Sequence, residues 1–507
     1  MAMLFPYAAT IIVSAFLFLY VHHRRRNSCR TPLLTDWPIL GMSPQFFGNM
    51  WQFHDYVTNA LRKKGGTGEL MGPWFTEDNY IVTCDPLNVH HIMSKNFYNY
   101  VKGSKFREIF EPFGNGLIGA DTEMWKYKRA LTQSVLRKLS FETMSEKTIQ
   151  KKVQNGLLPI LDHACLHEKV LDLQDVFSRL MFDETSIMVL GYDPKSLSVE
   201  FPLVSAEKAF NEVQECIFYR NMVPITLWKF QEWLQIGSEK KLTKARKIFD
   251  QFVYSHIAAK RQELKNSKCN KFSDDLLSEQ MMLTDENGKF VHDDKFLRDA
   301  SFNHFAAGRD TITSGLTWFF WLLAKHPSVE VKILEEIKEN FDAIDGKKHE
   351  VLGIEDVKKL VYLHGALCES LRLFPPVPVE RKQSLKSDTL PSGHRVNPNT
   401  YILLFTYAMG RFEEAWGKDC LEFKPERWIS EKREVKHVSF YKFFIFNAGP
   451  RTCLGKDVAL FQMKIVAAAI LRNYHIQVVE NHPVVPAQSI MLLMKHGLKV
   501  NITTRQV

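Results

Sequence analysis

The chain has 507 residues, 45% of them hydrophobic and 24% charged, with a formal net charge of +9. That composition allows a sizeable core and leaves no long segment with the bias of a disordered tract. The charge is modest for this length and lacks the dense basic stripes of a nucleic-acid binder, so a membrane surface or an acidic protein is the expected kind of partner.

No residue from Met1 to Val21 is charged, and His22, His23, Arg24, Arg25 and Arg26 follow at once. An apolar span of this length just crosses a bilayer as a helix, and the arginines keep the downstream side cytoplasmic. A cleaved signal peptide has the opposite order, basic residues first. Residues 1–21 are therefore expected to be an uncleaved membrane anchor. Residues 22–41 read as a basic hinge punctuated by Pro32 and Pro38, and residues 42–507 as one globular body. The eight cysteines are scattered with no Cys-x-x-Cys pair, which argues against a disulfide framework or a structural zinc site.

Helical periodicity dominates from about Phe53 to Leu371, with a turn signal at Asp285-Glu286-Asn287-Gly288. Strand-like runs are few: Tyr80–Thr83, Tyr401–Phe405 and a terminal hairpin from about Ile476 to Ile502. The body is mainly α with a small β portion. Trp125 and Arg129 stand one helical turn apart on one face. From Asp294 to Lys325 runs the longest helix candidate, about 45 Å at the usual rise. It is apolar on nearly every face, the mark of a buried helix. Within it, Ala307-Gly308-Arg309-Asp310-Thr311 combines a helix-weakening glycine with a hydroxyl that competes for backbone, which suits a local widening.

Glu369 and Arg372 sit at i and i+3 among Leu371, Leu373 and Phe374, a setting that buries the pair and asks for a further partner. Arg427, in Phe423-Lys424-Pro425-Glu426-Arg427-Trp428, can supply it. Near the end, Phe446-Asn447-Ala448-Gly449-Pro450-Arg451-Thr452-Cys453-Leu454-Gly455 frames a lone cysteine with two glycines. Gly449 and Gly455 let the backbone bend and lie close to a flat macrocycle. The apolar run after Cys453 reads as a helix whose N-terminus favours a thiolate, and Arg451 can hold a haem propionate. A thiolate opposite bound oxygen favours O–O cleavage, so the loop points to oxygen activation.

This loop resembles the haem-binding loop of the cytochrome P-450 superfamily of haem-thiolate monooxygenases. The resemblance extends over essentially the whole chain, through the Glu369-x-x-Arg372 and Pro425-x-Arg427 elements and the Trp125-x-x-x-Arg129 pattern. It implies the fold of that superfamily, with haem b bound through Cys453. Phe446, Gly449 and Arg451 would belong to the haem loop, and Trp125 and Arg129 would reach a propionate. Arg381 or Lys382 is a weaker third candidate. Thr311 would hydrogen-bond oxygen, Asp310 would pass protons inward from solvent, and Glu369, Arg372 and Arg427 would lock the core behind the cysteine loop. Electrons from NADPH would arrive through a membrane flavoprotein reductase docked on Lys126, Lys128, Lys442 and Lys456. The other reactants would be O2 and a hydrophobic small molecule, in a pocket lined from Phe106, Phe110, Phe113, Leu117, Phe302, Phe305, Val377, Val379 and Ile490. The anchor would sit in the endoplasmic reticulum, with the catalytic body cytoplasmic. Trp318–Leu323, Tyr407–Arg411, Trp416–Asp419 and Met494–Leu498 resemble the plant branch containing mid-chain alkane hydroxylases of cuticular wax, related to fatty-acid ω-hydroxylases. Phenol-coupling enzymes of alkaloid synthesis share that branch. By the resemblance they depart from the Ala-Gly-x-Asp-Thr pattern this chain keeps, which favours hydroxylation of a long aliphatic chain.

Overall fold

The computed structural model describes Ser14, residues 17–19, 21–22, 31–74, 76, 79–266, 274–284, 286, 290–341 and 350–505. The expected anchor falls almost wholly outside these residues, as do Asp285, Asn287 and Gly288 of the expected turn. No helix among the described residues is long and apolar enough to cross a membrane. Two compact units emerge: one from residues 1–101, 379–420 and 448–450, the other from 102–378, 421–447 and 451–507.

The first unit is built on a five-stranded sheet in the order Thr67–Met71, Asn79–Thr83, Tyr401–Leu404, Glu380–Ser384, Tyr100–Val101. Asn79–Thr83 and Tyr401–Leu404 run parallel, with Tyr80 opposite Tyr401, and the other pairs are antiparallel. Both strand-like runs read from the sequence are therefore strands. The Glu380–Ser384 strand was not foreseen, because Glu-Arg-Lys-Gln-Ser shows no apolar alternation. It is nonetheless mostly buried, and Arg381 stacks on Tyr401 at 4.8 Å and donates to the Tyr80 hydroxyl at 3.3 Å.

The second unit is helical, with one three-stranded sheet of Leu171–Asp172, Lys499–Thr504 and Tyr474–Val478. The last two strands form the expected terminal pair, Val500 opposite Val478. At its centre the Asp310–Lys325 helix packs against Val361–Leu373 and Lys456–Asn473. Close approach is possible because Gly315 has no side chain: a Cβ there would lie 3.0 Å from Met463 Sδ and 3.2 Å from Leu371 Cδ2. Trp318 stacks on Phe374 at 4.1 Å and, with Ser314, donates to the Leu492 carbonyl. Leu492 in turn donates to the Pro376 carbonyl, so the terminal loop and the Pro375–Val377 segment are fixed to one helix.

The long helix expected from 294 to 325 is two helices, Asp294–Gly308 and Asp310–Lys325, meeting at Arg309. The expected widening has a visible cause. Three hydroxyls, of Thr311, Thr313 and Thr317, donate to the carbonyls four residues back, and such bonds compete with the helical ladder and bend it.

Candidate active site

Cys453 lies just before the Lys456–Asn473 helix, and its N–H donates to the Phe446 carbonyl at 2.7 Å. The thiol keeps accessible surface although protein surrounds it on nearly every side, so it borders an enclosed space rather than the outer surface. A Cβ on Gly455 would meet no protein atom within 4 Å, so the loop is open at that position too. Burial pushes the Cys453 thiol up from its ordinary value, and the Gly455 amide and the Arg129 charge pull the other way. The helix-terminus effect expected from the sequence is present but does not win in the protein alone. A coordinating metal deprotonates such a thiol outright.

Gly449 makes the backbone bend expected from the sequence. It adopts φ +59°, and a Cβ would sit 2.0 Å from the Met93 carbonyl oxygen within the first unit. Val379 also belongs to the first unit and is half-buried.

Beside Cys453, the Thr122–Leu136 helix presents Trp125 and Arg129. Arg129 donates to the Thr452 carbonyl at 2.7 Å. The Trp125 ring has the Arg451 guanidinium at 4.7 Å and that of Arg129 at 5.7 Å. Arg451 also pairs with Asp121 at 3.1 Å and donates to the Ala120 carbonyl at 2.6 Å. Asp121 escaped the sequence reading. It gathers the Lys102 and Gly103 amides and Arg107 besides Arg451, so it sets where that guanidinium stands. Its only sequence signal is an acidic residue at the start of a helix, which usually means a cap. An accessible thiol, an open cradle at Gly455 and two guanidiniums flanking an indole suit a haem: sulfur for iron, cations and an N–H for propionates.

Between Ser301 and Phe320 the Asp294–Gly308 and Asp310–Lys325 helices are buried except along one line. His304, Ala307, Gly308 and Thr311 retain accessible surface while their neighbours do not. The spacing is i, i+3, i+4, i+7, one face of a helix. Thr311 therefore stands at open space, as the sequence suggested. Asp310 does not open to solvent: it is buried, accepts from Gln214 and lies 3.2 Å from Arg309. Arg309, also buried, reaches Glu207 at 2.9 Å and bonds Ser178 and Asn211. The resemblance put Asp310 in reach of solvent, but polar partners from the Leu173–Leu190 and Ser205–Met222 helices take it and Arg309 inside.

Of the apolar candidates, Phe302 and Phe305 have no accessible surface and are packed among Phe182, Phe210 and Phe249. They are core rather than pocket lining, because aromatic neighbours on three helices close around them. Phe106, Phe110 and Phe113 form a ladder ending on Phe302, with Phe110 half-buried. Leu117, Val377 and Ile490 keep accessible surface. Lys128 is buried over the Phe296 ring, which removes it from any docking surface; Lys126 is exposed, and Lys442 and Lys456 are half-buried.

Fold and site together define a thiolate-ligated haem protein. A family model described as Cytochrome P450 matches residues 31–502, and the chain belongs to that family. It is a cytochrome P450 monooxygenase, an oxidoreductase whose cofactor is haem and which uses O2 with electrons from NADPH through a reductase. The Arabidopsis thaliana protein named alkane hydroxylase MAH1 is 42% identical over 508 residues, covering 100% of each chain. Noroxomaritidine synthase from Narcissus aff. pseudonarcissus MK-2014 is 42% identical over 504 residues, covering 98% of this chain and 96% of its own. The crystal structure of the cytochrome P450DA heme domain superposes with a TM-score of 0.77 at 18% identity, covering 94% of this chain and 98% of that one, a likeness of fold.

Proposed function

We propose that this protein hydroxylates a long-chain aliphatic substrate: one atom of O2 enters a C–H bond, the other leaves as water, and two electrons and two protons are consumed. What carries this reading is the full-length similarity at 42% identity to a protein named alkane hydroxylase, joined to a Thr311 hydroxyl on the accessible helix face. The haem supplies the oxidising chemistry when bound. Cys453 would ligate its iron, and Trp125, Arg129 and Arg451 would hold its propionates. Leu117, Phe110, Val377 and Ile490 contribute apolar lining.

Thr311 holds a proton at Oγ, and Asp310 next to it is held in place by Gln214 and Arg309. Thr311→Ala is expected to keep the thiolate spectrum while product formed per NADPH falls severalfold. Simultaneous measurement of NADPH, peroxide and product checks this, and full coupling would remove Thr311 from the proton path.

Residues 1–21 anchor the chain in the endoplasmic reticulum membrane, and the reductase docks on a basic face that includes Lys126, Lys442 and Lys456. A second reading, oxidative phenol coupling of an alkaloid precursor, is favoured by the relative named noroxomaritidine synthase at the same identity. Microsomes with reductase and NADPH, offered long-chain alkanes, fatty acids and a phenolic amine, separate the two by mass spectrometry. Oxygenated aliphatic products support the first reading; a coupled phenol with no aliphatic product replaces it.

A further inference from the structure

His304 occupies the accessible helix face two turns before Thr311 and keeps part of its surface. Its Nδ1 is buried and takes no hydrogen-bond partner among the described residues. Orphaned buried nitrogens are uncommon, and each asks for a reason. A buried N–H with no acceptor costs more than a bare ring nitrogen with no donor, so the favoured tautomer leaves Nδ1 unprotonated and places the proton on Nε2. Nε2 makes no hydrogen bond to a described residue and is not among the buried orphans, so it lies at the accessible edge of the ring. The result is one directed N–H donor on a helix face whose next two members, Ala307 and Gly308, carry no polar side chain.

We infer that His304 Nε2–H donates to an uncharged oxygen of the substrate, a hydroxyl or carbonyl, roughly 10 Å along the helix from Thr311. The inference rests on the aliphatic reading above and narrows it. The preferred substrate is a long chain already bearing an oxygen, rather than a bare hydrocarbon or a carboxylate. Burial lowers the His304 pKa to about 4, so at neutral pH the ring offers a donor but no positive charge to a carboxylate. A site built to hydrogen-bond a substrate oxygen disfavours the analogue lacking it, because its own N–H is then left unpaired.

The test is equilibrium binding to the haem-loaded enzyme, by calorimetry, of four ligands of equal length: an alkane, its mid-chain alcohol, the matching ketone and the fatty acid. Wild type, His304→Phe and His304→Gln are compared, each first shown to melt normally and to keep its thiolate spectrum. Wild type is expected to bind alcohol and ketone about five- to tenfold more tightly than alkane, the worth of one hydrogen bond. His304→Phe keeps the alkane affinity within about twofold and loses the preference, and His304→Gln retains part of it. An undiminished preference in His304→Phe overturns the inference, as does an equal loss for all four ligands, which marks a packing role. Should no aliphatic ligand bind wild type while a phenolic amine does, the aliphatic reading falls by itself. His304→Phe then still decides the hydrogen bond: a weakening of about fivefold toward the phenol supports it, and no change overturns it.

Discussion

Cys453→Ala is expected to fold, yet to show no carbon-monoxide band of thiolate-ligated haem and no NADPH-dependent product above background. Folding survives because the loop is held by main chain: the Cys453 N–H donates to Phe446 whatever the side chain, and Arg129 grips the Thr452 carbonyl. Removing a small, accessible thiol leaves little new cavity, so the cost of packing is low. The chemistry has no substitute. Cys84, Cys216, Cys368 and Cys420 are buried thiols, and burial drives Cys216 to about 11 and Cys368 to about 12. Thiols of that kind are inert toward a metal at neutral pH. Among the described cysteines Cys453 is the most accessible, and it has a nearby cation and an amide donor. Spectra and haem content of the purified variant check this, and a surviving thiolate band would mean that another cysteine ligates the iron.

The cysteine frame was legible because its chemistry is local: one loop carries the ligand, its donors and its bends. The buried ion pair was legible for a related reason, since charges in an apolar stretch have few ways to be stable. What escaped the sequence depends on distant partners. Asp121 looks like a helix cap until Arg451, 330 residues later, is placed on it. Asp310 looks solvent-facing until Gln214 and Arg309 enclose it. Phe302 and Phe305 match the pattern of pocket lining, but helical period cannot tell a face that meets open space from one that meets other phenylalanines. The Glu380–Ser384 strand failed the pattern test because burial there is set by stacking of Arg381 on tyrosines rather than by apolar side chains.

Glu369→Ala is expected to be the most destabilising single change away from the thiolate. Glu369 and Arg372 are fully buried and joined by two bonds of 2.7 Å each, Nε to Oε2 and Nη2 to Oε1. Arg427 adds a bond of 3.1 Å, the Lys424 amide another of 3.1 Å, and the Trp428 indole one of 2.9 Å. One carboxylate thus answers two guanidiniums and two further donors. Its removal takes the counter-charge from Arg372, which water cannot reach, and from the partly accessible Arg427, a cost of about 3–5 kcal/mol, a large share of the stability of a typical domain. The damage is directed at the haem loop. Trp428 meets Phe443 edge-on at 4.4 Å, Phe443 packs on Phe446 at 6.2 Å, and the Phe446 carbonyl holds the Cys453 amide. A loosened Trp428 therefore loosens the sulfur. The expected signature is joint loss: a lower urea midpoint and haem content well below one per chain, with any bound haem slow to form its thiolate band. Glu369→Gln keeps the shape and one acceptor oxygen but not the charge, so it should fall between Glu369→Ala and wild type. A Glu369→Ala enzyme with normal haem content and an unchanged urea midpoint would break the link from the ion pair to the cysteine loop.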